Sequence, residues 1–162
     1  MKHIIKLMRP HQYIKNLFIL APLFFVGQVT NYALLLEAIQ AFFAFSICAS
    51  GVYVLNDWLD IEADKTHPKK KFRPLASGAV STSAALGIML GCFISGGVLM
   101  LAVSIEALAL LSTYVLLNVA YSFYLKHIAI LDVAIISVGF VLRLFVGSAA
   151  TGVLLSKWIV IM

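Results

Sequence analysis

The chain has 162 residues, 62% of them hydrophobic and 12% charged. A soluble domain is nearer half apolar and a quarter charged, so a water-soluble globule is excluded and a membrane protein is expected. The formal net charge of +5 does not point to nucleic acid, because the basic residues are interleaved with apolar runs and form no exposed basic domain.

Lys2, Lys6 and Arg9 precede an apolar stretch, as in a secretory leader. Pro22 interrupts that stretch, no small-x-small cleavage site follows and more spans come after it, so a retained first helix is expected. Arg9-Pro10 has the form of a helix start, and span one should run from about 11 to 29. Lys15 and Asn16 fall one to two turns inside it. Lys15 either snorkels to the interface or, with Asn16, serves a site at the depth of the acidic stretch that follows.

Span two, about 34 to 59, ends in Asn56-Asp57-Trp58-Leu59-Asp60-Ile61-Glu62-Ala63-Asp64. On a helix the spacing puts Asn56, Asp57, Asp60 and Asp64 on one face. Three carboxylates on one stripe repel unless a cation or a donor network lies between them, and hard oxygen ligands of this kind suit Mg²⁺. Lys65, Lys69, Lys70, Lys71 and Arg73 follow, a cationic segment able to hold the rest of a phosphorylated ligand. The plainer alternative is a solvated helix end and a basic loop. Pro68, Pro74 and Gly78 punctuate that loop.

Ser81-Thr82-Ser83 offers caps for span three, which ends near 103, and Gly87, Gly91 and Ser95 form a small-residue stripe suited to helix packing. Glu106 marks a turn into span four, about 107 to 125, which bears Tyr114, Asn118, Tyr121 and Tyr124. After Lys126-His127, span five runs from about 128 to 155 with Asp132 near its start and Arg143 about three turns further in. Ionisable groups at such depths are costly unless paired or facing a wet cavity. Asp132 either caps the span or serves the site, and Arg143 either makes a structural hydrogen bond or faces that cavity. Residues 158–162 read as the start of a sixth helix. Cys48 and Cys92 have no metal spacing and are expected to be small buried hydrophobes. The segments around 2–15, 65–73 and 126 are basic, whereas the connections at 28–32 and 102–106 hold no Lys or Arg. The N-terminus and the site loops are therefore expected on the cytoplasmic face, with Lys157 a minor exception.

Asn56-Asp57-x-x-Asp60-x-x-x-Asp64, followed by His67-Pro68-x-Lys70-x-x-Arg73-Pro74-x-Ala76-Ser77-Gly78, resembles the first aspartate-rich signature of the UbiA superfamily of intramembrane prenyltransferases. Arg9-Pro10-x-Gln12-x-x-Lys15-Asn16 with Ala21-Pro22-Leu23 is similar to its decaprenyl-phosphate phosphoribosyltransferase branch. So are Tyr121-Ser122-x-x-Leu125-Lys126, Leu131-Asp132 and Gly139-Phe140-Val141-Leu142-Arg143. The resemblance implies an all-α bundle of transmembrane helices around a cavity open to the cytoplasm and to lipid. It implies a donor, 5-phosphoribosyl 1-diphosphate, and an acceptor, a polyprenyl phosphate, in the bilayer. Mg²⁺ on Asp57, Asp60 and Asp64 would neutralise the leaving diphosphate. Lys15 and Arg73 would join Asp57 and Asp60 in the catalytic set. Asn16, Asn56, Lys69, Lys70, Lys71, Tyr121, Lys126, Asp132 and Arg143 would bind substrate.

Two departures qualify the resemblance. Aromatic-prenylating relatives show Tyr-x-x-x-Lys in span four, and Tyr121 to Lys126 has one more intervening residue. A second aspartate motif belongs to the later half of the fold and does not appear by Met162. The expectation is one transmembrane domain, five spans and the start of a sixth, forming the N-terminal part of a larger domain. The missing C-terminal half is an expected partner, and activity without it is in question. Two other readings stay open: a prenyltransferase with an aromatic or other acceptor, and a non-catalytic membrane fragment or carrier subunit.

Overall fold

A computed structural model describes residues 2–124 and 129–155, save the side chains at 129, 130 and 132. In chain order the elements are α1 (Lys2–Met8), a 3₁₀ helix (Pro10–Leu20), α2 (Ala21–Phe25), α3 (Tyr32–Leu59), α4 (Ile61–Thr66), a 3₁₀ turn (Lys70–Phe72), α5 (Thr82–Leu101), α6 (Ile105–Phe123) and α7 (Ala129–Thr151). Among the described residues there is no strand. The fold is the expected all-α membrane bundle, and four helices are long and apolar enough to cross a bilayer: α3, α5, α6 and the 133–151 part of α7.

Span one departs from expectation, because it is not one α-helix. Residues Pro10–Leu20 wind as 3₁₀ helix, and α2 is a separate short turn that starts just before Pro22. Eleven residues of 3₁₀ helix are unusual, since its hydrogen bonds are poorer than those of an α-helix. Tertiary contacts hold it. In a 3₁₀ helix residues three apart eclipse, and Tyr13, Asn16, Ile19 and Pro22 form such a row. Tyr13 Oη and Ser50 Oγ of α3 share a hydrogen bond at 2.9 Å. One turn on, Asn16 Nδ2 donates to Ser46 Oγ at 2.9 Å. Ile19 and Pro22 are fully buried. Three-fold spacing on one helix therefore matches four-fold spacing on the other.

The middle of α3 is covered on several sides, as expected of a helix that is apolar all round. Ala41, Ala44, Phe45, Cys48 and Val52 pack against Leu111 and Tyr114 of α6, Leu142 and Val146 of α7, and Ile19. A second cluster of Leu7, Val54, Leu75, Val80 and Ala85 joins α1, the loop after α4 and α5 at the far end of α3. Cys48 and Cys92 are buried free thiols, as the sequence led us to expect.

Among the described residues, nothing packs closely on the small-residue stripe of α5 at Gly87 and Gly91. Gly87 and Gly91 face open space, and Ser95 donates to the Gly91 carbonyl at 2.6 Å. The buried row is Cys92, Gly96 and Met100, and a Cβ at Gly96 would lie 2.5 Å from Cys48 Sγ. The close approach among the described residues falls instead on the adjacent period-four row through Gly96. At Gly147 the approach is tighter, since a Cβ would lie 1.9 Å from the Ile19 carbonyl oxygen.

Ser81 and Ser104 cap α5 and α6, accepting from Ala84 and Ala107 backbone N–H groups at 3.3 and 3.2 Å. The expected sixth helix at 158–162 lies outside the described residues.

Candidate functional site

The acidic motif spans a helix break. Helix α3 ends at Leu59 and α4 begins at Ile61, with Asp60 between them at φ −94° and ψ 6°. The ladder continues across the break, with Asp60 N–H on the Asn56 carbonyl at 3.1 Å and Asp64 N–H on that of Asp60 at 2.8 Å. The carboxylates therefore keep a common side, although Asp64 belongs to the second helix.

Asp57 and Asp64 are each only 2% exposed, and two arginines neutralise them. Arg9 donates to Asp57 Oδ1 at 2.5 Å. Arg73 Nη1 stands 2.7 Å from Asp64 Oδ2 and 3.2 Å from Asp57 Oδ1, between the two carboxylates. Carboxylates buried without partners would cost several kcal/mol each, so the guanidinium groups are what allow this burial. Arg73 also fixes the loop it sits on. Lys6 adds to this by donating to the Phe72 carbonyl at 3.1 Å. Further out, His67 Nδ1 accepts from the Lys69 and Lys70 N–H groups, both at 3.2 Å.

Arg9 is the residue the sequence reading missed. Its φ of 52° is the one positive value among non-glycine residues described. That backbone position, where its N–H meets the Ile5 carbonyl at 3.2 Å, closes α1 in a way usually given to glycine. An arginine in that place marks a side chain needed elsewhere. Arg9-Pro10 reads from the sequence as a basic helix start and as part of the family signature, and neither reading carries the contact with Asp57.

A second feature lies deeper along α3. A cavity of about 190 Å³ is lined by Lys15, Tyr53, Asn118, Tyr121 and Arg143, among others. Arg143 is 6% exposed. Its Nε donates to Asn16 Oδ1 at 2.8 Å, one Nη to the Gly139 carbonyl at 2.6 Å and the other to Tyr114 Oη at 3.4 Å. The rings of Phe45, Tyr114 and Phe140 lie 5.0 to 5.4 Å from its guanidinium carbon. Tyr53 joins this cavity to the acidic row, because the Arg9 guanidinium lies 5.3 Å from its ring centroid.

The expected site residues thus fall into two neighbouring groups. Asn56, Asp57, Asp60, Asp64 and Arg73 gather at the end of α3, where Lys70 shares an open pocket with Asp60, Asp64 and His67. Lys69 and Lys71 are exposed on the loop. Lys15, Tyr121 and Arg143 line the deeper cavity, and Asn16 stands behind Arg143. Lys126 and the Asp132 side chain lie outside the described residues.

The fit to a cation is mixed in geometry and good in chemistry. Among the described residues no three His, Cys, Asp or Glu side chains form a group able to hold a metal ion, and Arg73 occupies the space between Asp57 and Asp64. The oxygen donors are nevertheless of the hard type that Mg²⁺ prefers. Asn56 Oδ1, one residue before Asp57 and about one turn before Asp60, is buried with no hydrogen-bond partner among the described residues. A buried acceptor left unpaired is uncommon and invites a ligand.

The family profile described as UbiA prenyltransferase family matches residues 17–162. A decaprenyl-phosphate phosphoribosyltransferase of Corynebacterium glutamicum is 37% identical over 158 residues, covering 95% of this chain and 48% of that protein. The enzyme of the same name from Mycolicibacterium smegmatis is 38% identical over 96% of this chain and 50% of its own length. That from Mycobacterium tuberculosis is 37% identical over 96% and 53%. The chain spans about half the length of these curated relatives.

Proposed function

The chain belongs to the UbiA prenyltransferase family, and from that premise we propose that it serves a Mg²⁺-dependent transfer of 5-phosphoribose from phosphoribosyl diphosphate to a polyprenyl phosphate. Metal dependence is general in the family, and relatives named for this reaction align along nearly the whole chain. The observation that carries the reading is the buried, arginine-compensated row of Asp57 and Asp64 at the end of a membrane-crossing helix.

Asp57, Asp60, Asp64 and the orphaned Asn56 oxygen would hold the ion. Once bound, Mg²⁺ supplies neutralising charge to a departing diphosphate. Arg73, which stands between Asp57 and Asp64, would offer its guanidinium N–H groups to the phosphate oxygens of the donor. Exposed Lys69, Lys70 and Lys71 draw a polyanionic donor toward the row. The attacking lipid phosphate oxygen is already anionic at neutral pH, so no general base is needed at C1 of the ribose. The isoprenoid tail remains in the bilayer, and the acidic row with its basic loop faces the cytoplasm, where the donor is dissolved.

The test is transfer by membranes carrying the product of the complete gene. Labelled phosphoribosyl diphosphate should yield labelled polyprenyl lipid only when Mg²⁺ and polyprenyl phosphate are both present. Prenylation of an aromatic acceptor, with no movement of ribose phosphate, would reject this reading in favour of the other branch.

A further inference from the structure

Four side chains on one face of α3 meet the N-terminal segment in antiparallel order. Ser46, Ser50, Tyr53 and Asp57 are spaced by four, three and four residues, which keeps them on one side of a helix. Ser46 takes the Asn16 carboxamide at 2.9 Å. Ser50 bonds Tyr13 Oη at 2.9 Å and the Met8 carbonyl at 2.8 Å. Tyr53 and Asp57 share Arg9, whose guanidinium carbon lies 5.3 Å from the ring centroid and whose Nη2 donates to the carboxylate.

Ser50 is fully buried, and its hydroxyl has a single proton to give. That proton faces two carbonyls, Met8 at 2.8 Å and Ser46 at 3.2 Å, so Tyr13 is the donor in the bond the two hydroxyls share. The Met8 carbonyl belongs to the peptide that leads into Arg9. Arg9 needs outside support there, because a φ of 52° is disfavoured for a residue with a Cβ. Pro10 adds to the cost, since the residue before a proline is steered toward extended backbone. Ser50 grips this peptide from the same helix that carries Asp57. Arg9 and Arg73 both bond Oδ1 of Asp57, and a carboxylate held on one oxygen from two sides is kept from turning. Its second oxygen then has a fixed direction.

We propose that Ser50 is a positioning residue for the acidic row. Its hydroxyl, acting through the Met8 carbonyl, keeps Arg9 in the backbone position from which the guanidinium reaches Asp57, and Tyr53 guides the side chain between them. The inference rests on the transferase reading for its catalytic consequence alone.

The experiment treats the full protein in lipid nanodiscs with phenylglyoxal, which modifies guanidinium groups, and follows the peptides holding Arg9 and Arg73 by mass spectrometry. The two side chains are 21% and 24% exposed, so Arg73 is a matched reference. Ser50→Ala should raise the Arg9-to-Arg73 ratio of modification about fivefold, the population change that one net hydrogen bond sustains. Ser50→Cys, which keeps a weak donor of similar size, should fall between. Tyr13→Phe loses the same Tyr13–Ser50 bond but leaves the Met8 carbonyl engaged, and the ratio should not move. In the transfer assay Ser50→Ala should lower kcat and leave the KM for the lipid acceptor unchanged. An unaltered ratio in Ser50→Ala overturns the proposal. So does a ratio that rises equally in Tyr13→Phe, or modification that rises at both arginines together, because either reports general loosening. A raised ratio with full kcat would overturn the catalytic consequence. Absence of transfer by the unaltered protein, with the Ser50-dependent ratio intact, would reject the transferase reading and leave the positioning role standing.

Discussion

Arg143 on α7 donates from Nε to Asn16 Oδ1 on the 3₁₀ segment at 2.8 Å, and both side chains are buried. Asn16 is engaged at its other end too, since its Nδ2 donates to Ser46 Oγ of α3 at 2.9 Å. One carboxamide therefore ties three elements together. Asn16→Leu removes the acceptor and strands a buried guanidinium N–H. The expected cost is about 2 to 3 kcal/mol, read as a lower unfolding midpoint in detergent. An unchanged midpoint would show that the cavity-facing nitrogens carry Arg143 without help.

Arg73 binds the loop to both carboxylates, so Arg73→Met should release it. Lys69, Lys70 and Lys71 are exposed on that loop, and tryptic cleavage of the solubilised protein at those lysines should quicken. Arg73→Lys should restore protection only in part, because an ammonium lacks the guanidinium's forked geometry. Equal cleavage rates in all three proteins would mean that Lys6 and His67 suffice to hold the loop.

Asp60→Asn bears on the cation. It keeps the size of the side chain at the helix break and removes one charge from the row. Mg²⁺-dependent transfer should be lost while membrane insertion, followed by fractionation and protease accessibility, is unaffected. Turnover at the level of the unaltered protein would dismiss the metal assignment and revive the non-catalytic alternative.

Two glycines separate packing from composition. Gly147→Ala places a methyl group against the Ile19 carbonyl and should destabilise by about 3 kcal/mol, the upper part of the usual overpacking range. Gly91→Ala meets nothing within 4 Å and should be neutral or stabilising by up to about 1 kcal/mol through helix propensity. Thermal denaturation of the pair decides it. If Gly91→Ala were the more harmful, the packing face of α5 would have to be reassigned.

How much of this was legible in the sequence depended on how local the signal was. Spans α3, α5, α6 and α7 could be read from apolar runs, and Ser81 from its position before one of them. The motif from Asn56 to Asp64 could be read from spacing alone, because it lies on one nearly continuous hydrogen-bond ladder. Arg9 could not, for its role depends on a left-handed backbone position and on a partner 48 residues away. The 3₁₀ winding of Pro10–Leu20 was hidden for a similar reason. Its intrinsic preference is weak, and the serines that fix it belong to another helix. Gly87, Gly91 and Ser95 carried the right period for packing, but the neighbour's Cys48 and Ala44 meet Gly96 instead.

The eclipsed row of Tyr13, Asn16, Ile19 and Pro22 makes this stretch intolerant of a change in length. One residue inserted after Tyr13 would swing everything beyond it by about 120°. Asn16 would leave Ser46 and Arg143 together, while hydropathy and charge stayed the same. A deletion would do likewise in the other sense. Spacing, more than chemical character, is what this part of the polypeptide has to preserve.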